Sequence, residues 1–548
     1  MSDSDFRAVS KVFSRIGINP RIVGILALLI FLWFFLSIYA GDRFYGLNNV
    51  ENLLKRTGLY GILGIGVAFV IITSGIDLSI GSLVCLMACL LSIFLQVDYA
   101  PTTRAPVAEV QAADKTIVLR DSTEGFAPGD PVRFSGGNHA ASSIKTIASL
   151  DQVGSGGAIS IVVDTEFNRD DDTGIVDRLT KIESLTRADV EDKDGRAVVQ
   201  LTITLVGSHA LRPRDQIDFM LPPAADAARS DYTDLATQAI ITDVDTEGGN
   251  TRVTIKSDIP KLTEAWLALP KLRRQRMSIP MALGLLLAIA LALGVLHGVL
   301  VTKLSLPPFV VTLCGLLIYR GVSRSIMQDQ PGGFGNEYES FQQLGAGKLV
   351  LWESASGTSS FGLPYPFLVM VIFGLTAAVF LNRTVWGRYL LAIGRNEEAA
   401  RYSGINTSRM IIMAYVIGVL ASTIGGVLFA LYANSVPPSS FGAWYELYAI
   451  AAAVLGGCSL RGGEGSIFGV IVGAALMQTL YNLIQMLSIP GFNADQIEQA
   501  VIGAVILAGV SADEIVRRIV AARRARPIDR SRSGDGGGSP SGDASSAD

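Results

Sequence analysis

Charged residues are scarce in this chain. Of its 548 residues, 17% are charged and 49% are hydrophobic, whereas soluble globular proteins carry about 25% charged residues. This composition argues against an ordinary soluble protein and indicates a membrane protein. The net charge of −4 describes no single region, because acidic residues crowd positions 98–258 while basic residues gather at the ends of apolar segments.

Cysteine and histidine are also rare, which argues against two kinds of site. The four cysteines all lie in apolar segments, where a thiol packs as a small apolar group, so no disulfide framework is expected. The three histidines have no clustered partners, which argues against a metal site. His297 lies between Gly294 and Gly298 in an apolar segment, where a buried structural imidazole is favoured over a gate.

Motifs for catalysis and nucleotide binding are absent from the sequence. GAGKL at 345–349 lacks the glycine spacing of a phosphate-binding loop, and the glycine cluster at 456–465 lacks its lysine. The small residues of that cluster and of the next apolar segment instead predict close helix packing. We therefore expect no enzyme activity and no cofactor in this chain.

Long apolar segments dominate what is present. A transmembrane helix needs about 20 mostly apolar residues. The first candidate lacks a small-residue cleavage site and is followed by others, which favours a retained helix over a signal peptide. The ten candidates are 22–40, 58–74, 79–97, 279–302, 306–327, 363–382, 410–433, 444–459, 466–488 and 497–516.

Basic residues give the orientation of these spans. Four lie at or before position 21, five arginines lie in 383–409, and five more lie between 517 and 526. With ten spans all three groups fall on one side, which the positive-inside rule makes the cytoplasm. A polar tail at 521–548 reads as disordered. We predict an α-helical polytopic membrane protein of about ten transmembrane helices (1–97 and 279–520) in a bacterial inner membrane, with both termini cytoplasmic.

Residues 98–278 form an insert of a different kind. They contain no span and read as short alternating strands with Gly and Asp turns. TIVLRDSTEGFAPGD at 116–130 aligns with LTITLVGSHALRPRD at 201–215, an offset of 85 residues. This repeat predicts an all-β soluble domain of two tandem small β-barrels, at about 106–167 and 190–260.

The side of the membrane on which the insert lies is less directly indicated. An odd number of predicted spans precedes it, which places it outside the cytoplasm. Its basic end, KLRRQR at 271–276, argues for the opposite side, although the charge rule weakens for long translocated domains. We expect the extracytoplasmic placement, with these basic residues near lipid headgroups.

A polar interruption, TSGIDLSIG at 73–81, separates the second and third spans. An aspartate is costly in lipid, so Asp77 is expected to face protein or a water-filled path. The alternative is a turn at the membrane surface in which Asp77 caps the next helix. Ser74 and Ser79 can hydrogen-bond backbone groups that a break in the helix leaves free. Gly75 and Gly81 permit the close approach of other segments.

A second polar segment, at 387–405, separates two later spans. Glu397 and Arg401 are four residues apart and share a helix face, and Gly404 is placed to end a short helix. A small helix of mixed charge between spans favours docking to a soluble partner over a simple connection.

Together these segments resemble the permease subunits of bacterial ABC importers for monosaccharides, of the ribose, xylose and galactoside type within the branched-chain amino acid and sugar permease superfamily. The resemblance covers roughly 22–97 and 279–520, and the pattern G-x-N-E-x-A-x-x-x-x-G-I at 394–405 is its most specific part. The motifs are LGIGVAFVIITSGIDLSIGS at 63–82, PFVVTL at 308–313, WGRYLLAIGRNEEAARYSGI at 386–405 and YELYAIAAAVLGGCSL at 445–460.

The resemblance implies partners and roles for particular residues. It implies a permease homodimer in membrane lipid, a separate ABC ATPase subunit that binds ATP and Mg²⁺, and an extracytoplasmic sugar-binding protein, with no nucleic acid. The residues implied to couple to the ATPase are Asn396, Glu397, Ala400 and Gly404. Those implied to lie near the translocation pathway are Ser74, Gly75, Asp77, Ser79, Gly81, Phe309 and Thr312.

Two departures and several alternatives remain at this point. Arg395 stands where the family often has a glycine, and the usual permeases lack the 98–278 insert. Besides a ribose-like monosaccharide, the solute is open to a nucleoside or a polyol. A secondary transporter, or a membrane protein whose β-domain binds an envelope component, is the competing class.

Overall fold

The computed structural model describes residues 20–111, 115–120, 125–136, 143–153, 158–163, 174–191, 197–221, 233–256, 259, 262–353 and 360–486, with 499–501, 503, 504, 507 and 511. The chain divides into two compact units. One, the helical unit, comprises Met1–Phe94 and Ile279–Asp548, and the other, the β unit, comprises Leu95–Ser278.

The helical unit is built from helices and an antiparallel pair of strands, Lys348–Glu353 and Ser360–Pro364. In chain order the helices are α1 (Pro20–Ala40), α2 (Asp42–Tyr45), α3 (Leu47–Ile72), α4 (Ile80–Phe94), α5 (Ile279–Thr302), α6 (Pro308–Met327), α7 (Glu339–Ala346), α8 (Tyr365–Arg383), α9 (Val385–Arg395), α10 (Glu397–Tyr402), α11 (Thr407–Ala433), α12 (Tyr445–Leu455) and α13 (Ile467–Met486).

Seven of the described helices are long and apolar enough to cross a membrane, namely α1, α3, α5, α6, α8, α11 and α13. The shorter apolar helices α4 and α12 occupy two further predicted spans. The prediction of a polytopic helical membrane protein is therefore confirmed. The count of ten stays a prediction, because most of the last predicted span, 497–516, falls outside the described residues.

Helix α3 begins at Leu47, eleven residues before the predicted start at 58. The extra turns contain polar residues, which hid them from a count of apolar residues. Glu51 shows how they are tolerated: its carboxylate accepts hydrogen bonds from Lys348 Nζ at 2.8 Å and from the Gly362 backbone N–H at 2.9 Å. A paired charge at a helix end costs far less than a bare one, so the helix extends through this region.

Helix α3 lies at the centre of the helical unit, and 89% of its most apolar stretch is buried. Glycines at 58, 61, 64 and 66 let other helices approach its backbone closely. Gly58 and Gly61 face Pro366 and Met370 of α8, Gly64 faces Val470 of α13 and Ala452 of α12, and Gly66 faces Ala421 of α11. Small residues at such crossings are the usual means of helix association in lipid.

The turns of the helical unit gather at two ends. Ser74, Gly394 and Arg461 meet at one end, which we call the coupling end. At the opposite end the backbones of Gly332 and Val436 form a β-bridge, and Ser92 contacts Met327. Because α4 and α5 each run between the two ends, Phe94 and Ile279 lie at the end opposite the coupling end.

The first half of the β unit is a closed barrel. Its strands β2 (Arg104–Gln111), β3 (Thr116–Leu119), β4 (Pro131–Gly136), β5 (Ser143–Val153), β6 (Ala158–Val163) and β7 (Gly174–Arg178) follow the order β2-β3-β6-β5-β4-β7, with β7 pairing back to β2. Alternate side chains such as Ile117, Val132 and Ile161 fill its interior. Asp177 is buried at the seam, where it pairs with Arg104 and Arg133.

The second half closes in the same way. Strands β8 (Thr180–Glu191), β9 (Ala197–Leu205), β10 (Gln216–Leu221), β11 (Thr233–Glu247), β12 (Asn250–Lys256) and β13 (Leu267–Gln275) follow the order β13-β10-β11-β12-β9-β8, and β8 pairs back to β13. Strand β1 (Val97–Pro101) adds to β13, with Pro101 opposite Lys271. The two tandem barrels predicted from the sequence are therefore confirmed. Their strands span 104–178 and 180–275, wider than the predicted repeats.

The repeat of 85 residues is visible in one turn of each barrel. Asp130 accepts a hydrogen bond from the Ala127 N–H at 2.8 Å, and Asp215 accepts one from the Arg212 N–H at 2.7 Å. The residue before each aspartate has a left-handed backbone, with φ of +89° at Gly129 and +79° at Arg214. The same turn is thus built once with a glycine and once with an arginine.

This difference predicts opposite effects for two exchanges. Arg214→Gly is expected to stabilise the second barrel by about 1 kcal/mol, and Gly129→Arg to destabilise the first by a similar amount, because a side chain is disfavoured at positive φ. Hydrogen exchange of barrel amides in the detergent-solubilised full-length protein measures both effects. Equal protection in wild type and variants would contradict the prediction.

Candidate functional site

The interruption between α3 and α4 is a strained turn held by two other segments. Helix α3 ends at Ile72, and Ser74 has a left-handed backbone with φ of +63°, which is uncommon outside glycine. Its hydroxyl donates to the Gly394 carbonyl at 3.2 Å and also lies 2.9 Å from the Arg461 carbonyl. The strain is therefore maintained by contacts with α9 and with the glycine cluster, as is common at functional sites.

Glycines make this three-way junction possible. The Gly463 N–H donates to the Ile72 carbonyl at 2.9 Å, and Gly462 and Gly463 have φ of +82° and +73°. A side chain on Gly394 would overlap the Ile72 carbonyl oxygen and the Gly463 backbone. The cluster at 456–465 thus provides close packing, as the sequence predicted, at the point where the broken helix meets α9.

The polar segment after α8 folds into two capped helices. Thr384 caps α9 by accepting from the Gly387 N–H, and Asn396 caps α10 by accepting from the Ala399 N–H at 2.9 Å. Gly404 has φ of +82°, and the Ile405 N–H bonds the Ala400 carbonyl at 3.1 Å. This is a glycine-ended helix C-terminus, so the short helix expected from the sequence is present and ends as predicted.

Helix α10 presents a mixed surface to its surroundings. Ala400 is buried, whereas Glu397 and Arg401 are exposed and form an ion pair at 3.5 Å. Tyr402 is 84% exposed, the most exposed large hydrophobic side chain in the described residues. Tyrosine is a frequent anchor at protein interfaces, and the sequence analysis did not single it out.

A cavity of about 750 Å³ opens at the coupling end. Its walls come from the turn after α3, the connection between α5 and α6, one face of α10 and the start of α11. It brings together Ser74 and Gly75, predicted for the pathway, with Glu397, predicted for coupling. Tyr415 of α11 also lines it.

Asp77 bonds within the turn that leads into α4. It is fully buried, and its Oδ1 accepts from the Ser79 N–H at 2.8 Å and from the Ser79 hydroxyl at 2.6 Å. Thr312, also fully buried, lies with its hydroxyl 3.1 Å from the Ile76 carbonyl. Three of the predicted pathway residues therefore meet around the start of α4.

Three polar aromatic side chains that the sequence analysis did not place in the pathway surround Asp77. The Tyr319 hydroxyl lies 2.7 Å from His297 Nε2, and the rings of His297 and Tyr415 meet edge to face at 6.1 Å. A side-chain carbon at Gly315 would stand 3.1 Å from both His297 and Tyr319 and 3.3 Å from Ser79, which bonds Asp77. A polar side chain within an apolar span is a sequence signal for a functional position. Of these three residues, the sequence analysis considered only His297.

The other two predicted pathway residues lie elsewhere. Gly81 packs against the Gly442 carbonyl and the Glu446 carboxylate, where a side chain would not fit. Phe309 is 50% exposed on α6 and is not part of the cavity wall, although its neighbours Pro307 and Pro308 are.

These features place the helical unit among polytopic membrane proteins in which a broken span and a polar helix share one cavity. Residues 262–510 match a family described as the permease component of a branched-chain amino acid transport system. The resemblance to this permease superfamily is thereby confirmed over these residues.

Individual relatives agree with this match. The chain is 36% identical to a ribose import permease of Bacillus subtilis over 40% of this chain and 62% of that protein. It is 36% identical to an L-arabinose transport permease of Escherichia coli (40% and 61%) and 31% identical to a fructose import permease of Rhizobium meliloti (41% and 60%). The matches thus span about three fifths of the curated relatives. No solved structure matches the chain.

Proposed function

We propose that this chain is the transmembrane permease subunit of an ATP-binding cassette importer that moves a ribose-like monosaccharide into the cell. One observation carries the proposal: Glu397 of α10 lines the same cavity as Ser74 and Gly75 of the broken helix. A movement imposed on α10 therefore acts directly on the wall of the cavity. The relatives' names, which include ribose, arabinose and fructose, supply the solute class.

The energy for transport comes from a partner in this proposal. A separate ATPase subunit binds ATP and Mg²⁺ and contacts α10 through a surface that includes Asn396, Glu397 and Tyr402. Its closure is transmitted through the glycine junction, since Ser74 is bonded both to the end of α9 and to the glycine cluster. Two permease chains, two ATPases and an extracytoplasmic sugar-binding protein complete the transporter.

The same proposal assigns the sides of the membrane. The coupling end carries the five arginines of 383–409 and faces the cytoplasm, as do both termini. Phe94 and Ile279, at which the chain leaves and re-enters the helical unit, lie at the opposite end, so the insert is extracytoplasmic. In that position the insert contributes to the surface that receives the sugar-binding protein.

Co-expression with the ATPase and sugar-binding protein encoded nearest this gene tests the proposal. We expect the ATPase to co-purify and D-ribose uptake to require ATP. Uptake without any ATPase would instead identify a secondary transporter, and absence of uptake for every sugar tested would contradict the function.

A variant lacking 105–270 separates the role of the insert from that of the helical unit. The remaining residues 102–104 connect β1 to the end of β13, which are already paired. We expect the ATPase still to co-purify, and uptake to fall because the receptor surface is reduced. Retained uptake would make the insert accessory, and ligand binding by the insert with no effect on uptake would favour an envelope-binding role.

A further inference from the structure

The polar cluster around Asp77 contains groups that the fold leaves unpaired. Asp77 Oδ2, His297 Nδ1 and the Tyr415 hydroxyl have no hydrogen-bond partner among the described residues. Each of these side chains is at most 1% exposed. Buried polar atoms are normally paired, and an unpaired one calls for an explanation.

Different parts of the chain bring these side chains together: the His297 and Tyr415 rings are 6.1 Å apart, and both His297 and Ser79, which bonds Asp77, lie beside Gly315. A side-chain carbon at Gly418 would stand 4.0 Å from Asp77 Oδ2, and one at Gly75 would stand 3.0 Å from the Tyr415 hydroxyl. Gly418 is three residues beyond Tyr415 and shares its helix face. Glycines thus border the cluster at both positions.

The cluster lies directly behind the wall of the cavity. Tyr415 and Gly75 line the cavity and also contact the cluster. The volume of about 750 Å³ is within the range of small-molecule sites, about 300–1,000 Å³. Tyr415 is thus the member of the cluster that reaches the cavity wall, whereas Asp77 and His297 do not line the cavity.

The three unpaired groups are complementary, as hydrogen-bond donors and acceptors, to the hydroxyl groups of a solute. A carboxylate oxygen accepts hydrogen bonds, and phenol and imidazole groups donate or accept. Because Tyr319 occupies His297 Nε2, only Nδ1 is left for a ligand. Hydroxyl groups both donate and accept, so neighbouring hydroxyls of a sugar can satisfy all three. A divalent cation such as Ca²⁺ prefers six or more oxygen ligands, which fits this set less well.

We propose that Asp77, His297 and Tyr415 form a binding station for solute hydroxyl groups within the helical unit, with Tyr415 separating it from the cavity. This proposal rests on the proposed transport function and names the groups that contact the sugar. The sugar binds the station when Tyr415 moves aside, and its hydroxyls then satisfy the atoms that are unpaired in the closed arrangement.

Two conservative variants test the station in the complete transporter. Tyr415→Phe removes only the unpaired hydroxyl, and Asp77→Asn keeps an oxygen for the Ser79 bonds. Uptake of D-ribose is compared with uptake of 2-deoxy-D-ribose, using the same sugar-binding protein throughout. We expect each variant to lower D-ribose uptake about tenfold, corresponding to about 1.4 kcal/mol, and to reduce the preference for ribose. ATPase co-purification should not change.

Ser422→Ala is the matched control, since it removes a buried hydroxyl of the same helix that bonds only its own backbone at 2.9 Å. Its uptake should equal that of wild type. Wild-type rates in both test variants, or an equal loss for both sugars, would overturn the station. Uptake that depends on sodium and is abolished by Asp77→Asn would also overturn the station, because it would identify a cation site instead.

If the Asp77→Asn variant does not accumulate in the membrane, the uptake measured for Tyr415→Phe alone decides whether the station exists. Failure of the proposed function is seen separately, as absence of uptake by the wild-type transporter.

Discussion

Gly394→Ala is expected to reduce solute uptake at least tenfold and to lower the thermal stability of the purified protein. The added methyl group would overlap the Ile72 carbonyl oxygen and the Gly463 backbone, neither of which is a flexible side-chain end. Overpacking of this kind costs about 1–3 kcal/mol, and it separates the three segments that Ser74 holds together. Uptake and the unfolding midpoint in detergent measure the two effects.

Gly284→Ala provides the control for this substitution. Gly284 is also a helical glycine of the helical unit, but an added side-chain carbon there meets nothing within 4 Å. Its uptake and midpoint should stay at wild-type values. Wild-type uptake and midpoint in Gly394→Ala would contradict this prediction. They would show that close contact of the three segments at Ser74 is not needed to transmit the ATPase movement.

Glu397→Lys is expected to abolish co-purification of the ATPase and, with it, uptake. The exchange hardly affects the permease fold, because exposed ion pairs between residues four apart contribute only about 0.3–0.5 kcal/mol. It does reverse the charge on the exposed face of α10, and close like-charge contacts at an interface are strongly unfavourable. Affinity purification of the permease from membranes measures the bound ATPase.

Glu339→Lys is a matched control for this charge reversal. Like Glu397, Glu339 is an exposed first residue of a short helix, and α7 lies at the end opposite the coupling end. Normal ATPase binding and uptake are expected for this variant. If Glu397→Lys also assembles and transports normally, α10 is not the docking helix.

Local signals in the sequence were sufficient for several parts of this structure. Apolar length predicted nine of the helices, because a chain in lipid must satisfy its own backbone within each segment. Asn396 and Gly404 sit where caps are made by neighbouring residues, so the bounds of α10 could be predicted from its own sequence. The alternation in 116–119 and 201–205 likewise predicted β3 and β9.

Other strands escaped prediction because their local pattern is weak. β8 exposes nearly every residue of its second half, so alternation fades along Thr180–Glu191. β11, at Thr233–Glu247, has a break in its pairing register between Ile241 and Asp243, which interrupts its alternation. Their place in the second barrel depends on pairing with β9 and β12, which is not visible within either strand.

The sequence by itself determined that this is a polytopic membrane protein with two inserted barrels and a polar helix between spans, because span length, strand alternation and helix caps are local properties. Only the tertiary structure decided which polar groups meet. Glu51 finds Lys348 at a separation of 297 residues, and Asp77 is brought to His297 and Tyr415 by packing of separate helices. Such contacts depend on how helices associate, and no short stretch of sequence specifies that association.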